Sequence, residues 1–310
     1  MPRPIEIPET LRTLPFTTSQ AARLHVSIHV LRGHRFVQLF RGVWVSADLT
    51  VDESLRITAA RLLLPADAAL SHVSALRRLG VGLGSERPLH FSTNTSSQTR
   101  LQGVTLHRRL GRLSPSDVDG VPTLGPDRTF VDCATLFGLR DLVRAGDWLV
   151  RLGLTTPEVL RAYAAERHLD GVLRARRASV FVASRVDSVT ETDVRLLLRF
   201  ARLPRPEVNA WITDAAGNVL GRGDLVFREY WVIVEYDGWH HERDARQRQK
   251  DHLRRERLEA AGWRLIVITS ADMSNPIGIV KRVDTVLRDA GYRGPVPVMS
   301  ATWHRWFDAA

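Results

Sequence analysis

The hydrophobic pattern is sharpest between residues 223 and 269. Leu225, Val226 and Phe227, then Trp231, Val232, Ile233 and Val234, form two runs of the β-branched and aromatic type that favours strands. Only Arg228, Glu229 and Tyr230 separate them, which predicts a tight hairpin. Residues 244–261 follow with helical composition and neither Gly nor Pro. Leu253, Leu258, Ala245, Ala260 and Ala261 give this helix a narrow apolar stripe, and Gly262 fits its C-terminal stop. Arg264-Leu-Ile-Val-Ile-Thr269 reads as a buried strand.

The N-terminal pattern is different. Thr17-Thr18-Ser19 can cap a short helix over residues 19–24. His25-Val26 supplies a turn, and residues 27–35 a second helix. Residues 36–40, Arg41-Gly42 and residues 43–46 then read as a β-hairpin with a two-residue turn. Helix, turn, helix and β-wing make a winged helix-turn-helix pattern. Arg32, His34 and Arg35 would line its DNA-facing end, with Arg41 at the wing tip. Between these regions, residues 53–64, 72–79, 128–136, 139–152 and 157–166 predict helices. Residues 89–92 and 104–107 predict strands, and His72 and His107 read as structural histidines. The basic stretch 174–185 reads as a linker or a first helix.

Charge at the ends of the two C-terminal apolar runs changes the picture. If the hairpin centres on Glu229 and Tyr230, Asp224 lies directly opposite Glu235, with Cβ atoms about 4.5–5.5 Å apart. Asp237, two residues further on, points to the same face. Carboxylates this close repel unless a cation sits among them, and a divalent metal is the usual one. Asp224 and Glu235, helped by the Tyr236 carbonyl, are therefore the expected ligands of Mg²⁺, with Mn²⁺ as a substitute.

Composition narrows the function classes. The 44 Lys and Arg outnumber the 34 Asp and Glu, giving a net charge of +10, a balance that favours phosphate-bearing partners. Only Lys250 and Lys281 are lysines, so Arg carries nearly all of it. Cys133 is the single cysteine, which removes any intramolecular disulfide and any cysteine-based zinc site. No apolar run is long enough to span a bilayer, and the N-terminus lacks the apolar core of a signal peptide. A cytoplasmic setting without membrane contact is the expectation.

Two family resemblances follow from these residues. Residues 188–288 resemble the restriction-endonuclease-like PD-(D/E)XK superfamily, most closely its very-short-patch repair endonuclease branch. Asp224 matches the first acid, and Glu235, Asp237, Trp239 and His240 fall in the second element. Asp251 lies in the helix, and Leu258-Glu-Ala-Ala-Gly-Trp-Arg-Leu265 matches the start of the final strand. Glu191 matches the acid on the first helix. The resemblance implies an αβββαβ core with a metal site on one sheet edge. The superfamily's usual Lys, two residues after the second acid, is Asp237 here, so His240 or His241 would take the acid–base role. Residues 15–165 resemble the AbiEi-type antitoxin family. The likeness rests on Arg41-Gly42-Val43-Trp44, Ser71-His72-Val73-Ser74-Ala75-Leu76, Gly120-Val121-Pro122-Thr123 and Pro126-Asp127-Arg128-Thr129-Phe130-Val131-Asp132.

The expected fold is therefore α/β and multidomain. It has a winged helix-turn-helix over residues 1–50, a mixed α/β middle over 51–170, and a restriction-endonuclease-like domain over 171–310. The expected function is a metal-dependent DNA endonuclease targeted by its own winged helix. Arg254 and Arg255 would hold flanking phosphates, Trp239 would stack on bases, and Asp251 and His240 would orient or deprotonate water. The alternative is an AbiEi-type DNA-binding regulator whose nuclease-like domain is inactive. Besides DNA, the two readings admit a toxin or a repair or restriction protein as partner, and a homodimer.

Overall fold

The computed structural model describes residues 6–237 and 245–307; the side chains of residues 245–248 are outside that description. The fold is mixed α/β with three sheets, and the chain divides into two compact units, Met1–Leu136 and Phe137–Ala310.

The first unit opens with α1 (Glu9–Thr13), β1 (Phe16–Thr17), α2 (Thr18–Arg23), α3 (Ile28–Leu31), β2 (Phe36–Phe40) and β3 (Val43–Ser46). The strands make a sheet of order β1-β3-β2. Thr17 caps α2 reciprocally. Its hydroxyl accepts the Gln20 N–H at 3.1 Å, and the Gln20 side chain accepts the Thr17 N–H at 2.6 Å. Phe40 pairs with Val43, leaving Arg41 and Gly42 as a two-residue turn in which Gly42 takes φ 84°. The second helix is much shorter than residues 27–35. Arg32 is its C-cap, and His34 and Arg35 lie in the following turn. The β-branched Ile28 and Val30 are weak helix formers, and Gly33 loses the most backbone entropy when ordered, so one turn is all that forms.

The first unit continues through α4 (Glu53–Arg61), β4 (Ala69–Leu70), α5 (His72–Arg78), β5 (Leu89–Thr93), β6 (Val104–Arg108), β7 (Ser116–Val118), β8 (Val121–Thr123) and α6 (Pro126–Cys133). Its second sheet has the order β6-β5-β4-β8-β7. Phe40 and Val43 of the hairpin join the core formed by Leu70, Leu89 and Phe91 of this sheet.

The second unit begins with α7 (Leu139–Arg151), α8 (Pro157–Glu166), α9 (Val172–Ser179) and α10 (Val189–Phe200). Strands β9 (Glu207–Thr213), β10 (Val219–Phe227) and β11 (Val232–Asp237) follow, then α11 (Ala245–Ala260), β12 (Arg264–Thr269), α12 (Pro276–Asp289) and α13 (Ala301–Phe307). The sheet order is β12-β11-β10-β9; β9, β10 and β11 run antiparallel, and β12 lies parallel to β11. Buried ion pairs tie α7 to α10. Asp147 accepts from Arg195 at 2.6 Å, Thr192 at 2.7 Å and the Ala183 N–H at 2.8 Å. Asp193 of α10 holds both Arg140 and Arg144 of α7. The basic stretch expected as a linker or helix contains α9, whose Arg176 donates to the Ala164, Ala165 and Arg167 carbonyls at the end of α8.

The Asp147 network yields a stability prediction. Asp147→Ala strands the buried Arg195 guanidinium without its acid and should lower the unfolding free energy by about 3–5 kcal/mol. Urea unfolding followed by circular dichroism measures the loss. A loss below about 1 kcal/mol would show that α7 is held to α10 by other means.

Candidate functional site

Strand pairing builds the site. β10 pairs with β11 through Leu225↔Val234, Val226↔Ile233 and Phe227↔Val232. Carried one residue further, the register sets Asp224 opposite Glu235, as the spacing predicts. β9 pairs with β10 through Ala210↔Gly223 and Val208↔Leu225, so Asn209 falls opposite Asp224 on the other side. On the face shared by Asp224 and Glu235 the next pair inward is Val226 and Ile233, packed with Leu258 and Trp263. The two acids thus sit at the end of a buried apolar face, beneath α11.

Each acid is held by named partners. The Asp224 carboxylate accepts the Tyr236 N–H at 2.8 Å, just beyond the last ladder pair. Glu235 is gripped by Arg254 of α11, one turn before Leu258, through two bonds of 2.6 and 3.0 Å. The same guanidinium donates to the Arg222 carbonyl at 2.6 Å. Gly221 makes room for it: a Cβ there would lie 3.0 Å from Arg254 Nε, at a φ of +148° that side chains disfavour. Glu191, near the start of α10, accepts the Asp187 N–H and the Asn209 side-chain amide, both at 2.9 Å. Ser188 caps that helix by accepting the Glu191 N–H at 3.1 Å.

Electrostatics join these groups into one site. Burial pushes the Asp224 carboxyl up to about 7, and the charges of Glu191 and Glu235 push the same way; the Tyr236 N–H and Arg254 oppose them. Three carboxylates on two strands and a helix therefore share one field, and among the described residues Arg254 acts against them. The donors are all hard oxygens, the set that suits Mg²⁺ or Mn²⁺.

The remaining expected residues are placed as follows. Asp237 ends β11, on the face of Glu235 and beside Thr269 in the parallel register. Asp251 is half-buried on α11, and its charge acts on Arg254. Arg255 is exposed; Arg254 is turned onto Glu235 rather than presented outward. Leu253, expected in the apolar stripe of α11, is also exposed, and Leu258 alone of the described stripe residues is buried. Trp239, His240 and His241 lie outside the described residues. Arg32, His34, Arg35 and Arg41 are exposed near α3 and at the hairpin turn. Sequence reading missed Asn209 and Asp187, whose roles depend on strand register and on the α10 cap.

A second polar cluster lies inside the first unit. His72 starts α5 at φ 51°, and its ring stacks on His107 of β6, centroids 3.9 Å apart and tilted by 22°. His90 of β5 completes the group through a His90 Nδ1 to His107 Nε2 hydrogen bond of 3.0 Å. A guanidinium only donates, so His72 Nε2, 3.2 Å from Arg109, must accept, and its Nδ1 then donates to Ser71 at 2.9 Å. Burial, with the positive fields of His107 and Arg109, drives the His72 imidazolium down to about 2. One nitrogen from each ring lies within 4.8 Å of the others, a spacing a metal could share. However, stacked rings run their in-plane lone pairs side by side, and Arg109 already holds the His72 lone pair. The arrangement is a stacked, hydrogen-bonded histidine cluster. Arg109 and Arg128 both meet the fully buried Asp132 beside it, at 3.2 and 3.0 Å. The motif pieces at residues 71–76 and 126–132 thus converge on one buried cluster.

No family model matches the chain. Two proteins of Mycobacterium tuberculosis, from two strains and each described only as an uncharacterized protein, are 27% identical to it over 180 residues. The match takes in 57% of this chain and 65% of each relative, so the chain spans just under two thirds of the curated relatives it matches. Among the described residues no helix is long and apolar enough to cross a membrane.

The raised Asp224 carboxyl predicts a pH-dependent stability. Its folded value exceeds the unfolded one, so the fold binds the extra proton between about pH 4 and pH 7. Stability from this group is present below pH 4 and is lost as pH rises through 7. Without divalent ions, Asp224→Asn should therefore gain about 1–3 kcal/mol over the parent at pH 8 and little at pH 4. Urea unfolding in EDTA at the two pH values tests this; an equal effect at both would show that Asp224 ionises freely.

Proposed function

We propose that the second unit is a metal-dependent endonuclease that hydrolyses phosphodiester bonds in DNA, targeted by the winged-helix elements of the first. The observation that carries this reading is the carboxylate field at the sheet edge: Asp224 is pushed to about 7 with Glu191 and Glu235 acting on it. A site of this kind is poised to exchange a proton for a divalent cation. The element order α10-β9-β10-β11-α11-β12 is also the αβββαβ order that the superfamily resemblance implies.

Asp224 and Glu235 would hold the ion, with Glu191 and Asp237 adding negative field. Bound there, Mg²⁺ or Mn²⁺ supplies Lewis-acid stabilisation to a phosphodiester. Arg254 is the cation beside the second acid, in a chain where Asp237 replaces the superfamily's Lys. It orients Glu235 and would also neutralise phosphate charge. His240 is proposed as the acid–base group and Asp251 as its helper. Arg32, Arg35 and Arg41 are proposed to contact DNA phosphates, and Trp239 and Arg255 to contact the strand near the cut.

A second reading has an observation of its own. Arg254 occupies both oxygens of Glu235, which compensates that acid without any metal. This favours an AbiEi-type DNA-binding regulator with a closed, inactive site.

The deciding experiment incubates the full-length protein with plasmid, mismatched duplex and single-stranded DNA, in Mg²⁺, Mn²⁺ or EDTA. The enzyme reading expects ion-dependent cleavage that Asp224→Ala abolishes with DNA affinity retained. Absence of cleavage of every substrate, with tight binding to the protein's own promoter, overturns it for the regulator. Arg254→Ala should slow cleavage by about ten- to a hundredfold; faster cleavage would mean that the Arg254–Glu235 pair latches the site. Because a ligand carboxylate must be ionised, apparent Mn²⁺ affinity should weaken by about tenfold per pH unit below 7. Calorimetric titration at pH 5.5, 6.5 and 7.5 measures it, and a flat profile would remove Asp224 from the ligand set.

A further inference from the structure

The first unit carries a concave region that neither reading above uses. It is a cleft of about 720 Å³ between the β2 hairpin arm, α4 and the approaches to β5 and β6. Arg41, Arg56, Arg87 and Arg100 line it, with the amides of Gln38 and Gln102 beside them, and no carboxylate is among the lining residues. None of these four arginines forms an ion pair among the described residues. Four other arginines of the same unit are compensated: Arg77 by Glu53 and Glu86, Arg78 by Asp119, and Arg109 and Arg128 by Asp132.

The four side chains come from separate elements and converge by folding, so a local run of basic sequence does not explain them. Arg56 is half-buried, and its guanidinium is lowered by that burial and then by the charge of Arg87. Glu86 works against this, but its carboxylate is bonded to Arg77 at 3.1 Å. Guanidinium forks match phosphate oxygens in pairs, and the cleft has the volume of a small-ligand site. Gly103 forms part of the wall, and no atom lies within 4 Å of where its Cβ would project, so the wall there is open.

We propose that this cleft is a phosphate-binding site, accepting at least two neighbouring phosphates of a nucleic-acid strand or of a free nucleotide. The site extends the contact region beyond the wing tip: Arg41 belongs to both, whereas Arg56, Arg87 and Arg100 lie outside the wing. The inference does not depend on cleavage, and all binding is measured in EDTA.

The test uses the full-length chain and the variants R56Q/R87Q/R100Q and R87E/R100E. The second changes only exposed positions and guards against loss of folding, which circular dichroism checks. Fluorescence anisotropy with duplex and single-stranded oligonucleotides is recorded from 50 to 300 mM salt, and ATP is titrated separately. If strand phosphates occupy the cleft, both variants bind DNA at least about tenfold more weakly, and the slope of log affinity against log salt falls by about 0.7–0.9 per lost contact. If a free nucleotide is the ligand, wild type binds ATP, both variants do not, and DNA binding is unchanged. Unchanged DNA affinity and slope, with no ATP binding by wild type, overturns the proposal. R32E/R35E tests the winged helix separately. A loss there alone leaves the wing and removes the strand form of the cleft proposal; a loss in the cleft variants alone does the reverse.

Discussion

A slip of one residue in the β10–β11 hairpin would turn Val226 and Ile233 out of their core and move Glu235 off the face that Asp224 occupies. Burial of those apolar pairs therefore fixes where the acids stand. Gly223 tightens the constraint, since a Cβ there would come within 2.8 Å of Ile233 and 3.0 Å of Ile212. Asn209 and Arg254 depend on the same register, one through β9 and the other through α11 packing by Leu258. The chemistry proposed for the sheet edge is a by-product of apolar packing two residues away.

The arginine-rich composition is spent in two ways. Inside each unit, buried acids take up arginines: Asp132 in the first, Asp147 and Asp193 in the second. Breaking such pairs is expensive because the remaining charge stays buried. In the second unit these networks join residues about fifty positions apart. Four other arginines converge on a cleft that no carboxylate lines. Net charge alone does not distinguish these uses.

The two clusters of titratable groups behave in opposite ways. In the second unit burial first, and then the charges of Glu191 and Glu235, push the Asp224 carboxyl up to about 7. The histidines of the first unit are stacked and hydrogen-bonded, and burial first drives the His72 and His90 rings down. Donor residue type is therefore a weaker guide to a metal site than the direction of the lone pairs and the sign of the uncompensated charge.

The hairpin register and the opposition of Asp224 and Glu235 were legible in the sequence, since both follow from local apolar periodicity and a short turn. Strand β9 and helices α12 and α13 were not. The capped α2, the Arg41-Gly42 turn and the final strand were legible for the same reason. The second N-terminal helix was overestimated, because composition did not weigh Gly33 and the β-branched residues against so short a segment. Tertiary structure alone decided the rest. It placed Arg254 on Glu235, Asn209 on Glu191 and His90 against His107, and it joined α7 to α10. These contacts join residues up to roughly fifty positions apart. They exist because close-packed elements must pair every buried charge and amide with whatever partner the fold brings near.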